Sequence, residues 1–165
     1  MLKLMGSVCI LAAGVAVHML QVRTFRRELS VLRGLVAALE EMENEIRLSR
    51  LPLPRLLKKA GFDRGRDVTA FFESICGAIG AGELPASAWR SAAAALPIAR
   101  REQSELAELG RKLCGDEEQA CKGIELARVR LAKALNEKSS RQADWEKRST
   151  ALCFSGAVLL IILLI

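Results

Sequence analysis

The chain has 165 residues with 25 Lys and Arg against 19 Asp and Glu, a formal net charge of +6. Tyrosine is absent, aromatic residues make up 4%, and no stretch sustains strand alternation, which argues against a β fold. The single histidine and five cysteines without a C-x-x-C pair argue against a zinc site or a disulfide framework, so reduced thiols are expected.

The charge is distributed in two phases. Lys3 alone among the basic residues lies outside the stretch from Arg23 to Arg148, and every Asp and Glu lies within it. Residues 1–22 read as a transmembrane helix, since Leu4 to Val22 carries no formal charge. The alternative is a cleavable signal peptide with Lys3 as its basic start. That stretch is long for such a peptide, no A-x-A-like site follows it, and Arg23, Arg26 and Arg27 form the basic flank of a retained helix. Gly6, Cys9, Ala13 and Ala16 recur at spacings of three and four, a small-residue face on which helices can approach in lipid. A homo-oligomer packed through that face is one reading; the other is that small residues are common in membrane helices. His18 reads as a structural imidazole close to the cytosolic end of the span.

Residues 23–148 read as one helical domain. Leu29, Leu32, Leu35, Leu39, Met42 and Ile46 form a stripe at helical spacing, and no proline interrupts the path from the membrane to Leu51. The first helix is therefore expected to continue out of the membrane as a stiff stalk, with Gly34 costing only about 1 kcal/mol. Pro52 and Pro54 end it, Pro54 opens a short helix, and Gly61 closes that one. Asp67 is expected to cap "VTAFFESICGAI", which "GAGEL" terminates. Pro85 or Ser87 starts a helix that stops at Pro97. Another runs from about Ala99 to Gly115, with Leu106, Leu109 and Leu113 on one face. Asp116 and Gln119 have the spacing of a capping box for a long final helix with the stripe Ile124, Ala127, Leu131 and Leu135. The expected fold is all-α: a cytosolic bundle of about six helices between an N-terminal and a C-terminal transmembrane helix.

Residues 149–165 read as the second membrane helix, with Lys147 and Arg148 as its basic anchor. Ala151 to Ile165 carries no charge, but as a helix it spans only about 22 Å of a hydrocarbon core of about 30 Å. A buried core helix is the alternative. Ser149 and Thr150 can extend the span, and the bilayer can thin around it. Basic residues at both inner junctions place the domain in the cytoplasm, where the same clusters suit anionic lipid headgroups better than nucleic acid.

Catalytic signals are few. There is no G-x-x-x-x-G-K-[ST], no G-x-S-x-G and no cytosolic histidine. Cys76 and Cys114 lie in apolar helical contexts that suit inert thiols. The run "EEMENEI" carries Glu40, Glu41, Glu43 and Glu45. Glu41 and Glu45 are one turn apart, as carboxylate metal ligands can be, but the Glu-x-x-His partners of a di-iron bundle are missing. A membrane-anchored metal-dependent enzyme is thus one reading and a solvated helix face another. The better functional reading is an acidic partner-binding ridge, tempered by Arg47 and Arg50. No cofactor is implied.

Taken in order, "MLKLMGSVCIL", "LRGLVAALEEMENEI", the Pro52-Leu53 step, "LAELGRKLCGDEEQ" and "FSGAVLLIILLI" resemble the stage III sporulation protein AB family of endospore-forming bacteria. The resemblance covers nearly the whole chain and rests on the order of its segments. It implies similarity to the cytosolic domain of type II secretion F-type platform proteins, present in one copy. It further implies a non-catalytic scaffold in the outer forespore membrane, its domain in the mother-cell cytoplasm. Its partners would be a secretion-type ATPase and the other stage III sporulation AA–AH proteins, in a transenvelope complex, with Glu41 and Glu45 expected near the ATPase. A generic membrane adaptor outside sporulation is the remaining alternative.

Overall fold

The computed structural model describes the backbone of residues 2–49, 53–113, 115 and 117–164. Side-chain surroundings are described within residues 19–141, apart from 21, 49–53, 114, 116 and 117. With no proline to remove a backbone donor, α1 runs unbroken over Leu2–Ser49, about 72 Å. The short helix α2 (Leu53–Gly61) carries Pro54 in its first turn, where the missing N–H has no partner to lose. Asp63 (φ 55) and Gly65 (φ 91) then reverse the chain into α3 (Arg66–Gly80). Past α3, Gly82 at φ 90 lets the N–H groups of Gly82 and Glu83 bond back to the carbonyls of Ile79 and Ala78, each at 3.0 Å. Pro85 opens α4 (Pro85–Ala95), and Leu96 is extended before Pro97, as a residue preceding proline prefers. The last two helices are α5 (Arg100–Lys112) and α6 (Glu117–Leu164).

The described residues are thus all-helical, in six helices. α1 and α6 pack along each other, and their direction follows from two ion pairs. Glu28 meets Lys138, and Glu43 meets Arg128, so the helices are antiparallel. The stripe expected on α1 faces inward: Leu29, Leu32, Leu35, Leu39 and Met42 are buried and Ile46 packs against the core. Ile124, Ala127 and Leu131 answer from α6. α2 to α5 wrap the half of this pair remote from residues 2 and 164. Trp89 of α4 packs there against Phe71 and Phe72 of α3, edge-on at ring-centre distances of 5.6 and 6.2 Å.

Two local expectations are corrected. Asp67 does not cap α3: Gly65 holds the N-cap position, with no side-chain capping bond. Asp67 instead accepts two hydrogen bonds from Arg27 of α1, at 2.6 and 2.8 Å, tying α3 to α1. Gly34 is also more than a tolerated defect. A Cβ there would lie 2.7 Å from the carbonyl oxygen of Arg64 and 2.9 Å from Cγ2 of Val68, so α1 can approach the α2–α3 turn only through a glycine. The capping box expected at Asp116 lies outside the described residues.

Candidate functional site

The carboxylate run of α1 was expected to form one ridge. The structure distributes its members differently. Glu40 is exposed and holds no ion pair among the described residues. Glu43, 9% exposed, is clamped between Arg47 at 2.9 Å and Arg128 of α6 at 3.2 Å. Glu41 pairs with Arg64 and Glu45 with Lys59, both at 2.5 Å. The two residues expected to face a partner therefore meet cations from α2 and the turn after it. A carboxylate shared with an internal cation has much less field to offer a partner than the sequence of α1 suggests.

Beside these pairs lies an open depression of about 650 Å³, walled by Glu41, Arg64, Arg55 and Lys58. Phe62 lines it and is 78% exposed. An apolar groove of about 340 Å³ continues from it between α2 and α3, over Leu57 and Phe72. This aromatic-bearing face was not singled out in the sequence, where "KKAGFDRG" reads only as a helix end and a turn. Among the described residues, no three His, Cys, Asp or Glu side chains converge as metal ligands. Glu41 and Glu45, the pair considered for a metal, each face a cation instead. Cys76 and Cys121 are half-buried free thiols, and burial pushes the Cys76 thiol upward, away from the reactive thiolate. Cys114 lies outside the described residues.

The basic flank of the first expected span is also partly committed. Arg23 and Arg26 are exposed. Arg27 is engaged with Asp67; that hydrogen bond holds the Asp67 carboxyl below its ordinary range and the Arg27 guanidinium above its own. The side chains of Gly6, Cys9, Ala13, Ala16 and His18, and of Lys147 and Arg148, lie outside the described residues. Among the described residues no helix is long and apolar enough to cross a membrane.

A third cluster was missed altogether. Lys138 of α6 reaches Glu28 of α1 at 2.6 Å and Glu102 of α5 at 3.1 Å, and Glu28 also accepts the backbone N–H of Ala99 at 3.1 Å. Three helices are thereby joined at one edge of the bundle. Burial pushes the Lys138 ammonium down, but the two carboxylates outweigh it and leave its pKa raised. The partners are 110 and 36 residues from Lys138 in sequence, so no local pattern announces them.

Compared with known proteins, the chain matches the family model described as stage III sporulation protein AB over residues 3–165. A solved structure described as stage III sporulation protein AB superposes with a TM-score of 0.64 at 22% identity, covering 72% of this chain and 98% of that one. At that identity the likeness speaks for the fold. No curated protein matches.

Proposed function

The chain belongs to the stage III sporulation protein AB family, and on that premise we propose that it is a non-catalytic membrane platform of a secretion-like complex between mother cell and forespore. Residues 1–22 and 149–165 anchor it in the outer forespore membrane. The bundle faces the mother-cell cytoplasm and docks a secretion-type ATPase and other proteins of the stage III AA–AH set. The observation that carries this reading is the antiparallel pairing of α1 and α6. From Glu28 toward residue 2, and from Lys138 toward residue 164, both helices leave the bundle at the same edge. Those are the directions in which the sequence loses its charge. Met19 and Leu20, on α1 beyond that edge, are 58% and 63% exposed, as lipid-facing side chains would be in the absence of lipid.

A reporter inserted at the exposed α3–α4 turn, at Gly82, tests the topology. A cytosol-active reporter should function there and a periplasm-active one should fail; the reverse would remove the ATPase from reach. Docking is tested by capture of the purified ATPase on the full chain in mild detergent. The pairing seen for Glu41 and Glu45 changes which variant is informative. Reversing both to Lys sets like charges against Arg64 and Lys59 and so disturbs the bundle itself. Glu40→Lys leaves every described ion pair intact, and it should weaken capture and reduce its salt dependence if the α1 face is the contact. Capture that is unchanged by Glu40→Lys moves the contact off this face.

A further inference from the structure

Where α2 meets α3, the apolar groove of about 340 Å³ and the open depression beside it share two residues, Lys58 and Phe62. The walls are fixed by contacts within the chain. A Cβ on Gly61 would lie 2.8 Å from Cβ of Phe72, so α2 ends in direct contact with α3. At that end Thr69 donates a hydrogen bond to the carbonyl oxygen of Gly61 at 2.8 Å. At the other end the Cys76 thiol lies 4.0 Å from the carbonyl oxygen of Pro54. Leu57 and Phe72 form the floor and belong to the buried core, whereas Phe62 stands beside them with most of its surface in water. An exposed aromatic on a preformed groove gives up little freedom when a partner covers it.

The charges around this face are sorted by element. Arg55 and Lys58, one turn apart on α2, are exposed and have no ion-pair partner among the described residues. The same holds for Asp63 in the turn and Glu73 on α3. Lys59 and Arg64 are already matched by Glu45 and Glu41. Two positive charges thus remain on α2 and two negative ones beyond it, and Lys58 and Glu73 line the groove from opposite walls. A polyanion is drawn to the first pair and repelled by the second, so neither nucleic acid nor an anionic membrane matches the balance. The membrane is also remote, on the reading that residues 1–22 lie in lipid. Glu45, which α2 meets through Lys59, is 23 residues past Val22, about 34 Å along α1. A partner that gains from both pairs must itself carry both signs, as a protein segment does.

We propose that the α2–α3 groove docks an amphipathic helix of a cytosolic partner. An apolar side chain of that helix lies over Leu57 and Phe72, its carboxylates face Arg55 and Lys58, and a basic side chain faces Glu73. The docked segment is about two to three turns long, matching the nine residues and about 13 Å of α2. The one-turn spacing of Arg55 and Lys58 suits two carboxylates that are also one turn apart. Phe62 packs against the apolar side chain, an aromatic anchor inside a charged rim. On the reading that the bundle docks a secretion-type ATPase, on which this surface depends, the helix belongs to that protein.

The test is the affinity of the purified ATPase for the full chain in mild detergent, measured at low and at physiological salt. Phe62→Ala should weaken binding about tenfold, as the loss of one aromatic anchor does. Lys58→Glu and Glu73→Lys should each weaken it about three- to tenfold, more at low salt. An anionic ligand would instead bind Glu73→Lys more tightly, and a cationic one Lys58→Glu, so tightening by either variant overturns the proposal. The swap K58E/E73K keeps the net charge and should stay weak, because it exchanges the two walls. Arg90→Glu, exposed on α4 outside the groove, should bind like the wild type. An equal loss there would make the effect one of net charge and overturn the groove. All these side chains are exposed, so the helical signal and thermal midpoint should stay at their wild-type values. Unchanged affinity in Phe62→Ala and in the swap overturns the groove and leaves the ATPase docking standing, whereas a wild-type chain that binds no ATPase overturns both. Light scattering covers a second copy as occupant: an oligomer lost in Phe62→Ala with ATPase binding unaltered makes the groove a contact between copies and overturns the proposal.

Discussion

Gly110 of α5 sits directly beneath Trp89, and its replacement by alanine tests whether the α4–α5 packing holds the bundle. The added Cβ would lie 2.4 Å from Cβ and 2.6 Å from Cγ of Trp89. Carbon atoms pack best at about 3.5–4.0 Å, so the two must separate by more than about 1 Å. No rotamer change helps, because a Cβ moves only with its backbone; α4 itself has to shift. Trp89 is 1% exposed and packed edge-on against Phe71 and Phe72, so the shift loosens the aromatic cluster as well. Overpacking of this kind costs about 1–3 kcal/mol, and the rigid stem on both sides puts Gly110→Ala at or above the upper end. The better helix propensity of alanine returns about 1 kcal/mol. A net loss of about 2 kcal/mol corresponds to a midpoint about 4–8 °C lower for a chain of this size. Gly77 in α3 is the internal control, since a Cβ there meets nothing within 4 Å. Gly77→Ala should gain about 0.4–1 kcal/mol by restricting the unfolded chain. Thermal unfolding of both variants, followed by far-UV circular dichroism in the same detergent, gives the comparison. A Gly110→Ala midpoint at or above the wild type would refute the packing argument.

Removing the charge of Lys138 with Lys138→Met leaves Glu28 and Glu102 facing each other without compensation. That should cost about 2–3 kcal/mol, somewhat below the roughly 3–5 kcal/mol of a fully buried pair because the Lys138 side chain keeps 20% exposure. The raised folded-state pKa of Lys138 means its contribution is complete below the unfolded value, about 10.4, and is lost as pH rises through the higher folded value. The wild-type advantage over Lys138→Met should therefore shrink in strongly alkaline melts. Asp67 has the opposite sign: lowered by Arg27, it stabilises above its unfolded value, about 3.9, and stops doing so as pH falls through the folded one. Asp67→Asn should cost no more than about 1 kcal/mol at neutral pH, since the pair faces solvent, and nothing once the wild type is titrated below that range. Ala13→Leu, on the small-residue face of the proposed first span, should reduce the oligomer recovered in mild detergent; an unchanged oligomer would assign self-association to the bundle.

Helices were legible in this sequence because their signals are local. The stripe from Leu29 to Ile46, Pro85 at a helix start and the Leu96–Pro97 stop each depend on neighbours within one or two turns, and each lies where its spacing puts it. Asp67 was misread for a related reason. An Asp just before a helical run has two uses, capping its own helix or pairing elsewhere, and only the packing of α1 against α3 decides for Arg27. Gly34 was undervalued because propensity describes an isolated helix, whereas the Arg64 carbonyl that excludes a Cβ is 30 residues away in sequence.

The same distinction governs the surface charge. A carboxylate run on one helix looks like a field of one sign only until its neighbours are in place. Arg64, Lys59 and Arg128 arrive from α2, the turn after it and α6, and they leave Glu40 as the member without an ion pair among the described residues. Pairing on the basic side likewise removes Arg27, Arg130 and Lys138 and leaves Arg101, Lys133 and Arg141 around one cavity. What a partner or a membrane meets is the residue of this cancellation, which net charge and linear clustering do not reveal. In this chain the cancellation leaves Arg101, Lys133 and Arg141, on α5 and α6, as cations without an ion-pair partner among the described residues, at the edge of the bundle where α1 and α6 depart.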